Sequence, residues 1–343
     1  MSPLEKKIRQ SIEMNGPMSV ETFMGMAVSH YYATRDPFGA EGDFTTAPEI
    51  SQMFGELIGL WIADTWIKLG QPRPFNLVEG GPGRGTLMAD ILRATKAAEG
   101  LHDAMNIHLM ETSPRLRELQ REMLEGYGVS WHASLDDLSD DPLIFIANEL
   151  LDALPVRQYQ SFNGKWFERV IGIEDDKLVF GLTESTLNLP PVEGAIKEIS
   201  PASIHFMAQL SLKIRDCKGA ALLIDYGYDE PVTGDTLQAV KEHGFVPVLE
   251  DIGNVDLTAL VDFAMMARVS QVPVKGPVTQ GAFLRHLGIQ MRFDKLKVNA
   301  TPQQVMELQS GMVRLTADDQ MGVLFKVLGL CHDPAIELAG FYT

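Results

Sequence analysis

The sequence predicts an α/β fold in which a mostly parallel sheet carries helices on both faces. From Phe75 onward, short apolar runs alternate with segments whose apolar residues recur at helical spacing. Such alternation is typical of strands joined by crossover helices, and these connections produce parallel pairing. Several apolar runs also end in an acidic residue, as at Glu79 and Glu111, where open parallel sheets place their ligands.

Residues 1–70 are predicted to form a helical segment and a loop ahead of the sheet. Apolar residues between 50 and 61 recur on one stripe of a helix. Thr46 and Glu49 stand at capping-box spacing in front of this stripe. The preceding loop is rich in glycine and includes Asp43 and Phe44, which we expect to act as a lid and to contact substrate.

Residues 71–343 are predicted to form the core of the fold, with two insertions. One insertion is a hairpin at 156–185, and the other is a mostly helical segment at 226–320. Ser113-Pro114 and Ser200-Pro201 each combine a capping residue with a first-turn proline, which predicts helix starts. The core strands are expected over 75–78, 107–110, 129–131, 143–147, 220–224 and 321–330.

Composition restricts the classes of partner. The 343 residues include 46 acidic and 29 basic ones, for a formal net charge of -17. An acidic surface repels polyphosphate and anionic lipid, which disfavours nucleic acid and membrane partners and favours a basic protein segment. The two cysteines cannot form a disulfide framework, and no signal peptide or membrane-length apolar run is evident. We therefore expect a cytoplasmic protein without membrane insertion, and no metal site.

The stretch from Glu79 to Gly85 carries the strongest local signal. Its glycines stand at 81, 83 and 85, with Pro82 between the first two, and the stretch lies between a strand and a helix. Glycines there let the backbone turn tightly and approach a ligand, and a helix N-terminus adds free N–H groups. A dinucleotide fingerprint would need glycine at position 86, which is Thr86 here. The GxGxG spacing is instead typical of methyltransferases that bind S-adenosyl-L-methionine; the alternative is a tight turn without a ligand.

Two further residues are predicted to contact this cofactor. Glu111 ends the second strand, where an acid accepts hydrogen bonds from ribose hydroxyls; an exposed strand-end acid is the alternative. Ser134 follows the third strand, where the adenine is expected.

The segment from Asn148 to Pro155 follows the fourth strand and is predicted to hold the catalytic residues. Glu149 and Asp152 are two acids at the mouth of the expected pocket. Carboxylates bind a guanidinium in bidentate fashion, so the pair could fix an arginine nitrogen in line with a methyl donor. Alternatively, Asp152 caps a helix and only Glu149 faces the pocket. Asp225 and Tyr226, at the end of a later strand, are predicted to line the substrate pocket.

Six stretches together resemble the MidA-like methyltransferase family, which includes the mitochondrial complex I assembly factor. They are GDFTTAPEISQMFGE (42–56), VEGGPGRGT (78–86), NELLDALPV (148–156), LIDYGY (223–228), DLTALVDF (256–263) and GPVTQGAFLRHLGI (276–289). The family pattern usually has Leu or Ile where this chain has Gly80.

The resemblance implies a Rossmann-like class I methyltransferase sheet with extra helical and hairpin elements. It also implies S-adenosyl-L-methionine as cofactor and symmetric dimethylation of an arginine in a peripheral-arm subunit of respiratory complex I (NADH dehydrogenase). By this resemblance Gly81, Gly83 and Gly85 form the cofactor loop, and Glu111 binds the ribose. Asn148-Glu149-Leu150-Leu151 also resembles the first acidic stretch of the protein arginine methyltransferases. The second glutamate of those enzymes has no obvious counterpart in this chain, because Ala153-Leu154-Pro155 follows Asp152. A non-catalytic assembly chaperone that binds the cofactor and a small-molecule methyltransferase remain as alternatives.

Overall fold

A computed structural model of the chain describes residues 2–34, 45–230, 232–242 and 244–342. Its α-helices are α1 (Pro3–Asn15), α2 (Val20–Thr34), α3 (Ala47–Ile50), α4 (Gln52–Lys68), α5 (Thr86–Ala94), α6 (Leu101–Ala104), α7 (Pro114–Met123), α8 (Pro201–Cys217), α9 (Phe263–Val269), α10 (Gln280–His286), α11 (Ile289–Leu296), α12 (Pro302–Thr316) and α13 (Met321–Leu324).

The strands confirm the predicted core strands to within a few residues at most ends. They are β1 (Met18–Ser19), β2 (Phe75–Gly80), β3 (Met105–Met110), β4 (Val129–His132), β5 (Leu143–Asn148), β6 (Arg157–Phe162), β7 (Lys165–Glu174), β8 (Lys177–Glu184), β9 (Ile196–Ile199), β10 (Ala220–Tyr228), β11 (Gln238–Lys241), β12 (Gly244–Val246), β13 (Asp256–Thr258), β14 (Val261–Asp262), β15 (Val274–Thr279) and β16 (Phe325–Cys331). The strand predicted over 321–330 is wrong in its first four residues, because these form α13 and β16 begins only at Phe325.

The described residues form two compact units. The first comprises the described parts of Met1–Phe44, Leu151–Phe206 and Glu230–Val261. The second comprises the described parts of Thr45–Leu150, Met207–Asp229 and Asp262–Thr343. The first unit is assembled from three separate parts of the sequence, and the domain boundary at residue 70 stays a prediction.

The second unit is built on a sheet with strand order β15-β16-β10-β5-β2-β3-β4. The strands from β10 to β4 pair in parallel, whereas β16 is antiparallel to both of its neighbours. This sheet confirms the predicted α/β fold with a mostly parallel sheet. After β2 the chain continues to β3 and β4 on one side, and it then returns to β5 on the other side of β2. Open α/β sheets bind ligands at such a reversal, at the carboxyl ends of the strands.

Helix α4 belongs to this second unit because it packs closely on α5. A Cβ at Gly59 would lie 3.3 Å from the backbone of Ile91, and one at Gly55 would lie 2.5 Å from Asp90 Cβ. Two glycines four residues apart therefore give α4 a flat side that admits the neighbouring helix. Trp61 and Trp66, on the same helix, are buried in the core cluster.

The predicted capping box before α4 is wrong. Thr46 precedes the short helix α3 but makes no side-chain cap, and Ser51 interrupts the helical stripe and caps α4 with a 3.3 Å hydrogen bond from Met53 N–H. The Glu49 carboxylate instead accepts a 2.6 Å hydrogen bond from the Thr86 hydroxyl.

The first unit contains two sheets around its own apolar core. Strands β1, β7, β6 and β9 form one sheet with β8 paired to β7, and β12, β11 and β13 form the other. Three strands, β6 to β8, thus occupy the predicted hairpin region 156–185. Within the predicted mostly helical segment 226–320, Asp256 lies in β13, and Asp262 caps α9 with a 2.8 Å hydrogen bond from Met265 N–H. No α-helix of the described residues is both long and apolar enough to cross a bilayer.

Candidate active site

Three strand ends of the second unit lie side by side where the strand order reverses. Gly80 of β2 is opposite Met110 of β3 on one side and opposite Ala147 of β5 on the other. The Gly81 N–H then donates a 3.1 Å hydrogen bond to the Met110 carbonyl. Glu111, which follows β3, and Asn148, the last residue of β5, therefore lie at one edge of the sheet.

The loop between β2 and α5 depends on glycine at alternate positions. Gly81, Gly83 and Gly85 have φ values of 64°, 53° and 87°. This is the left-handed region, which side chains with a Cβ seldom adopt. Gly85 N–H closes the turn with a 2.8 Å hydrogen bond to the Pro82 carbonyl, and α5 begins at the next residue. The loop therefore exposes backbone to an approaching ligand directly in front of a helix N-terminus.

Two buried acceptor oxygens next to this loop have no hydrogen-bond donor among the described residues. They are Glu79 Oε2 at the end of β2 and Asn148 Oδ1 at the end of β5. Burial raises the pKa of Glu79 to about 8, while a hydrogen bond from the Met88 backbone opposes this rise. Buried polar atoms are usually paired in proteins, so these two oxygens beside the glycine turn are candidates for contact with a cationic or hydrogen-bond-donating ligand.

Glu111 is held by several donors at the end of β3. Its Oε1 accepts a 2.7 Å hydrogen bond from Ser113 N–H, and its Oε2 accepts a 3.4 Å one from the Gln120 amide. Burial raises the pKa of Glu111, whereas these hydrogen bonds and the Arg117 charge lower it. The carboxylate is fixed in one orientation before any ligand is present.

Glu149 has a backbone conformation that is rare for a residue other than glycine. Its φ is 55°, and its N–H donates a 2.9 Å hydrogen bond to the Ile224 carbonyl of β10. Its Oε1 accepts hydrogen bonds from Asn148 Nδ2 at 2.9 Å and from Ala47 N–H at 3.3 Å. A left-handed non-glycine residue costs about 1 kcal/mol or more, and such strain concentrates at functional sites. The turn therefore directs the Glu149 carboxylate at the expense of backbone energy.

Asp225 supports this turn from the adjacent strand. It is 1% exposed, and its two oxygens accept hydrogen bonds from Leu150 N–H at 3.1 Å and from Tyr226 N–H at 2.9 Å. The structure thus places Asp225 within β10, where it fixes the residue after Glu149. Tyr226 is half-buried and packs edge-on against Phe325 at 5.4 Å between ring centroids. Contact of either side chain with a substrate stays a prediction.

The remaining predicted site residues lie in other surroundings. Asp152 is buried in the first unit, and its carbonyl accepts a 3.0 Å hydrogen bond from Ala259 N–H. No helix begins at Asp152, so its interpretation as a helix cap is wrong; its catalytic role stays a prediction. Ser134 shares a capping box with Asp137 at a short 3₁₀ turn, and its contact with adenine stays a prediction. Asp43 and Phe44 lie outside the described residues.

Sequence reasoning missed Gln120 on the buried face of α7. The buried residues of this helix are Leu116 and Gln120, whereas Met123 is 48% exposed. The four-residue spacing of the buried pair is helical, but a glutamine on the core face carries no apolar signal. Within the described ranges, no group of three or more His, Cys, Asp or Glu residues is arranged to hold a metal ion.

The chain matches a known family over most of its length. A family model described as S-adenosyl-L-methionine-dependent methyltransferase matches residues 57–277. This range contains the glycine loop, Glu111 and the Glu149 turn.

Curated relatives align along nearly the whole chain. A protein named protein arginine methyltransferase NDUFAF7 homolog, mitochondrial, from Drosophila melanogaster is 35% identical, with 95% of this chain and 84% of the relative aligned. The Homo sapiens protein arginine methyltransferase NDUFAF7, mitochondrial, is 33% identical, with 96% and 83% aligned.

A solved structure shares the fold of the chain. A protein from Burkholderia thailandensis, described as a methyl transferase and bound to S-adenosyl-homocysteine, superposes with a TM-score of 0.83 at 24% sequence identity. The alignment covers 99% of this chain and 92% of that protein.

Proposed function

The chain belongs to the S-adenosyl-L-methionine-dependent methyltransferase family, and from this membership we propose that it methylates an arginine side chain of a protein substrate. The observation that supports the proposal most directly is the strained, hydrogen-bonded turn that directs the Glu149 carboxylate at the carboxyl edge of the sheet. The curated relatives carry the same activity in their names.

The residues next to the glycine loop fit this cofactor. We assign its ammonium group to Glu79 and Asn148, whose orphaned acceptor oxygens suit a donor with three N–H bonds. The backbone of Gly81, Pro82, Gly83 and Gly85 would hold the same ligand, and Glu111 would accept hydrogen bonds from its ribose hydroxyls. When bound, S-adenosyl-L-methionine supplies an electrophilic methyl group on a positively charged sulfur.

Glu149 is the residue that we assign to the substrate. Its carboxylate accepts hydrogen bonds from the guanidinium N–H groups and fixes one nitrogen in the orientation for attack. The carboxylate also draws positive charge toward the nitrogens that it binds, which leaves electron density on the attacking nitrogen. That nitrogen gains the methyl group and loses one N–H proton to solvent, so the product keeps its positive charge.

The protein substrate is proposed to present this arginine in a basic segment. The net charge of -17 favours such a partner. The family resemblance points to a complex I subunit during assembly, and to symmetric dimethylation as the product. We propose a cytoplasmic location; the relatives named above are mitochondrial.

The test is methyl transfer by wild type and by Glu149→Gln. Complex I peripheral-arm protein from cells that lack this chain is incubated with methyl-labelled cofactor, and hydrolysed protein is analysed for methylated arginines. Label in arginine with wild type, and no label with Glu149→Gln although that variant binds the cofactor normally, would support the proposal. Cofactor binding without any transfer by wild type would favour a non-catalytic assembly role.

A further inference from the structure

Gln120 joins the parts of the proposed cofactor site through one fully buried amide. Its side chain is 0% exposed and lies on the inner face of α7. Its Nε2 donates to the Gly83 carbonyl at 2.7 Å and to Glu111 Oε2 at 3.4 Å. Its Oε1 accepts a 2.8 Å hydrogen bond from Trp131 Nε1. A glutamine amide has two N–H donors, and both are used here.

We propose that Gln120 is a positioning residue that sets the glycine loop and the Glu111 carboxylate in one geometry for the nucleoside part of the cofactor. The proposal rests on the assignment of Glu111 and the glycine loop to this cofactor. Gln120 acts through these groups and has no assigned contact with the cofactor itself.

The three bonds fix groups that would otherwise rotate. Gly83 has a left-handed backbone, and its carbonyl has a defined direction because the Gln120 amide binds it. Glu111 has Oε1 held by Ser113 N–H on one side and Oε2 by Gln120 on the other. The orientation of Gln120 is itself set by Trp131, over whose ring the Arg121 guanidinium lies at 4.9 Å. A site ordered in advance loses less entropy when the ligand binds.

Gln120 also favours the ionised form of Glu111. Burial raises the pKa of this carboxyl, and the opposing groups are the N–H donors of Ser113 and Thr112, the Gln120 amide and the charged Arg117. An ionised carboxylate can accept hydrogen bonds from both ribose hydroxyls. Removal of the Gln120 donor therefore raises the pKa of Glu111 further, and the loss of cofactor affinity on acidification should begin at a higher pH.

Gln120→Met keeps the length of the side chain and removes all three hydrogen bonds. We expect affinity for S-adenosyl-homocysteine to fall on the order of 10- to 100-fold at neutral pH. The midpoint of the affinity loss at low pH should also move upward. Gln120→Glu keeps an acceptor for Trp131 but, when ionised, cannot donate to Gly83 and repels Glu111. It should show the same two changes.

Gln280→Met is the matched control. Gln280 is also 0% exposed and also donates to a buried carbonyl, that of Leu315 at 2.9 Å, but it lies at the start of α10. The control should lose stability like Gln120→Met and keep the wild-type affinity and pH profile. A purely structural role for Gln120 predicts that the two variants behave alike.

The experiment is calorimetric titration of S-adenosyl-homocysteine into wild type and the three variants from acid to neutral pH. The indole N–H resonance of Trp131 in a ¹⁵N spectrum reports the bond to residue 120 without any ligand. Lower affinity and a shifted pH profile in Gln120→Met, or in Gln120→Glu if only that variant folds, would support the proposal. Wild-type affinity and pH profile, with the Trp131 resonance shifted, would overturn it. No binding by wild type would refute the proposed cofactor site itself.

Discussion

The buried carboxyl of Glu79 should make the stability of the unliganded protein fall as pH rises. Glu79 is 2% exposed, and burial raises its pKa from 4.5 to about 8. Glu79→Gln keeps the size and shape of the side chain and removes the titration. We therefore expect the variant to be more stable than wild type at neutral and alkaline pH, although it loses the carboxyl that we assign to the cofactor ammonium.

The size of the effect follows from the two pKa values. The difference between 8 and 4.5 corresponds to about 5 kcal/mol at about 1.4 kcal/mol per pKa unit. Between these pH values the folded protein binds more protons at Glu79 than the unfolded chain does. The contribution of Glu79 to stability is therefore complete below pH 4.5 and is lost as pH rises to about 8. The free energy of unfolding of Glu79→Gln relative to wild type should grow by roughly 4 kcal/mol between about pH 5 and 9.

The assay is urea unfolding of both proteins at several pH values, without cofactor. Glu118→Gln is the control, because it removes an acidic charge from an exposed position on α7. This variant should follow wild type at every pH. Parallel pH dependence in wild type and Glu79→Gln would refute the reasoning, since the carboxyl would then be ionised in the folded protein at little cost.

Cofactor binding gives a second readout of the same group. The ammonium of the cofactor beside Glu79 would favour the ionised carboxylate, so binding near pH 7 should release a proton from wild type. Glu79→Gln should release none from this position. Calorimetry in two buffers of different ionisation enthalpy measures the difference, and equal proton release would contradict the assignment of the ammonium to Glu79.

Two further substitutions test the loop and the turn. Gly83→Val forces a β-branched residue to a φ of 53°, so it should abolish binding of S-adenosyl-L-methionine and S-adenosyl-homocysteine in calorimetry. NAD should bind neither wild type nor the variant. Retained binding of the two methyltransferase ligands by Gly83→Val would show that the glycine loop is not their binding site. Asp225→Asn leaves only one of the two carboxylate acceptors for Leu150 N–H and Tyr226 N–H, so it should cost about 1–3 kcal/mol of stability and reduce turnover more than cofactor affinity. Native stability and turnover in Asp225→Asn would show that the Glu149 turn does not need this support.

The sequence was sufficient to predict the sheet of the second unit because its signals are local. The apolar runs at Phe75 and Leu143 are short and are followed by breakers or polar residues, and Ser113-Pro114 starts α7 as predicted. The glycines at 81, 83 and 85 likewise form the predicted tight turn between β2 and α5, and all three have left-handed φ values. Each of these features depends on residues close together in the chain.

The features that could not be predicted depend on contacts between distant residues. Glu49 has the right spacing for a capping box, yet it binds Thr86, which lies 37 residues further along the chain. Gln120 has a polar side chain but is buried, because Gly83, Glu111 and Trp131 together satisfy its amide. The division into units is also non-local, since the first unit takes three separate parts of the sequence. No periodicity within a single segment carries that information.

Gly80 is a further case in which a distant residue determines a local one. A Cβ at Gly80 would lie 2.7 Å from Phe145 Cζ and 3.1 Å from Leu150 Cδ2, so the ring of Phe145 occupies the space that a larger side chain at position 80 would need. Gly80→Leu alone should therefore overpack the site and cost about 1–3 kcal/mol or more. Phe145→Ala alone should leave a cavity that costs about 3–5 kcal/mol. Because each change relieves the other, the double variant should be more stable than the sum of the two effects predicts, by at least about 1 kcal/mol in a double-mutant cycle measured by urea unfolding. Additive losses would mean that Phe145 does not compensate for the missing side chain at Gly80.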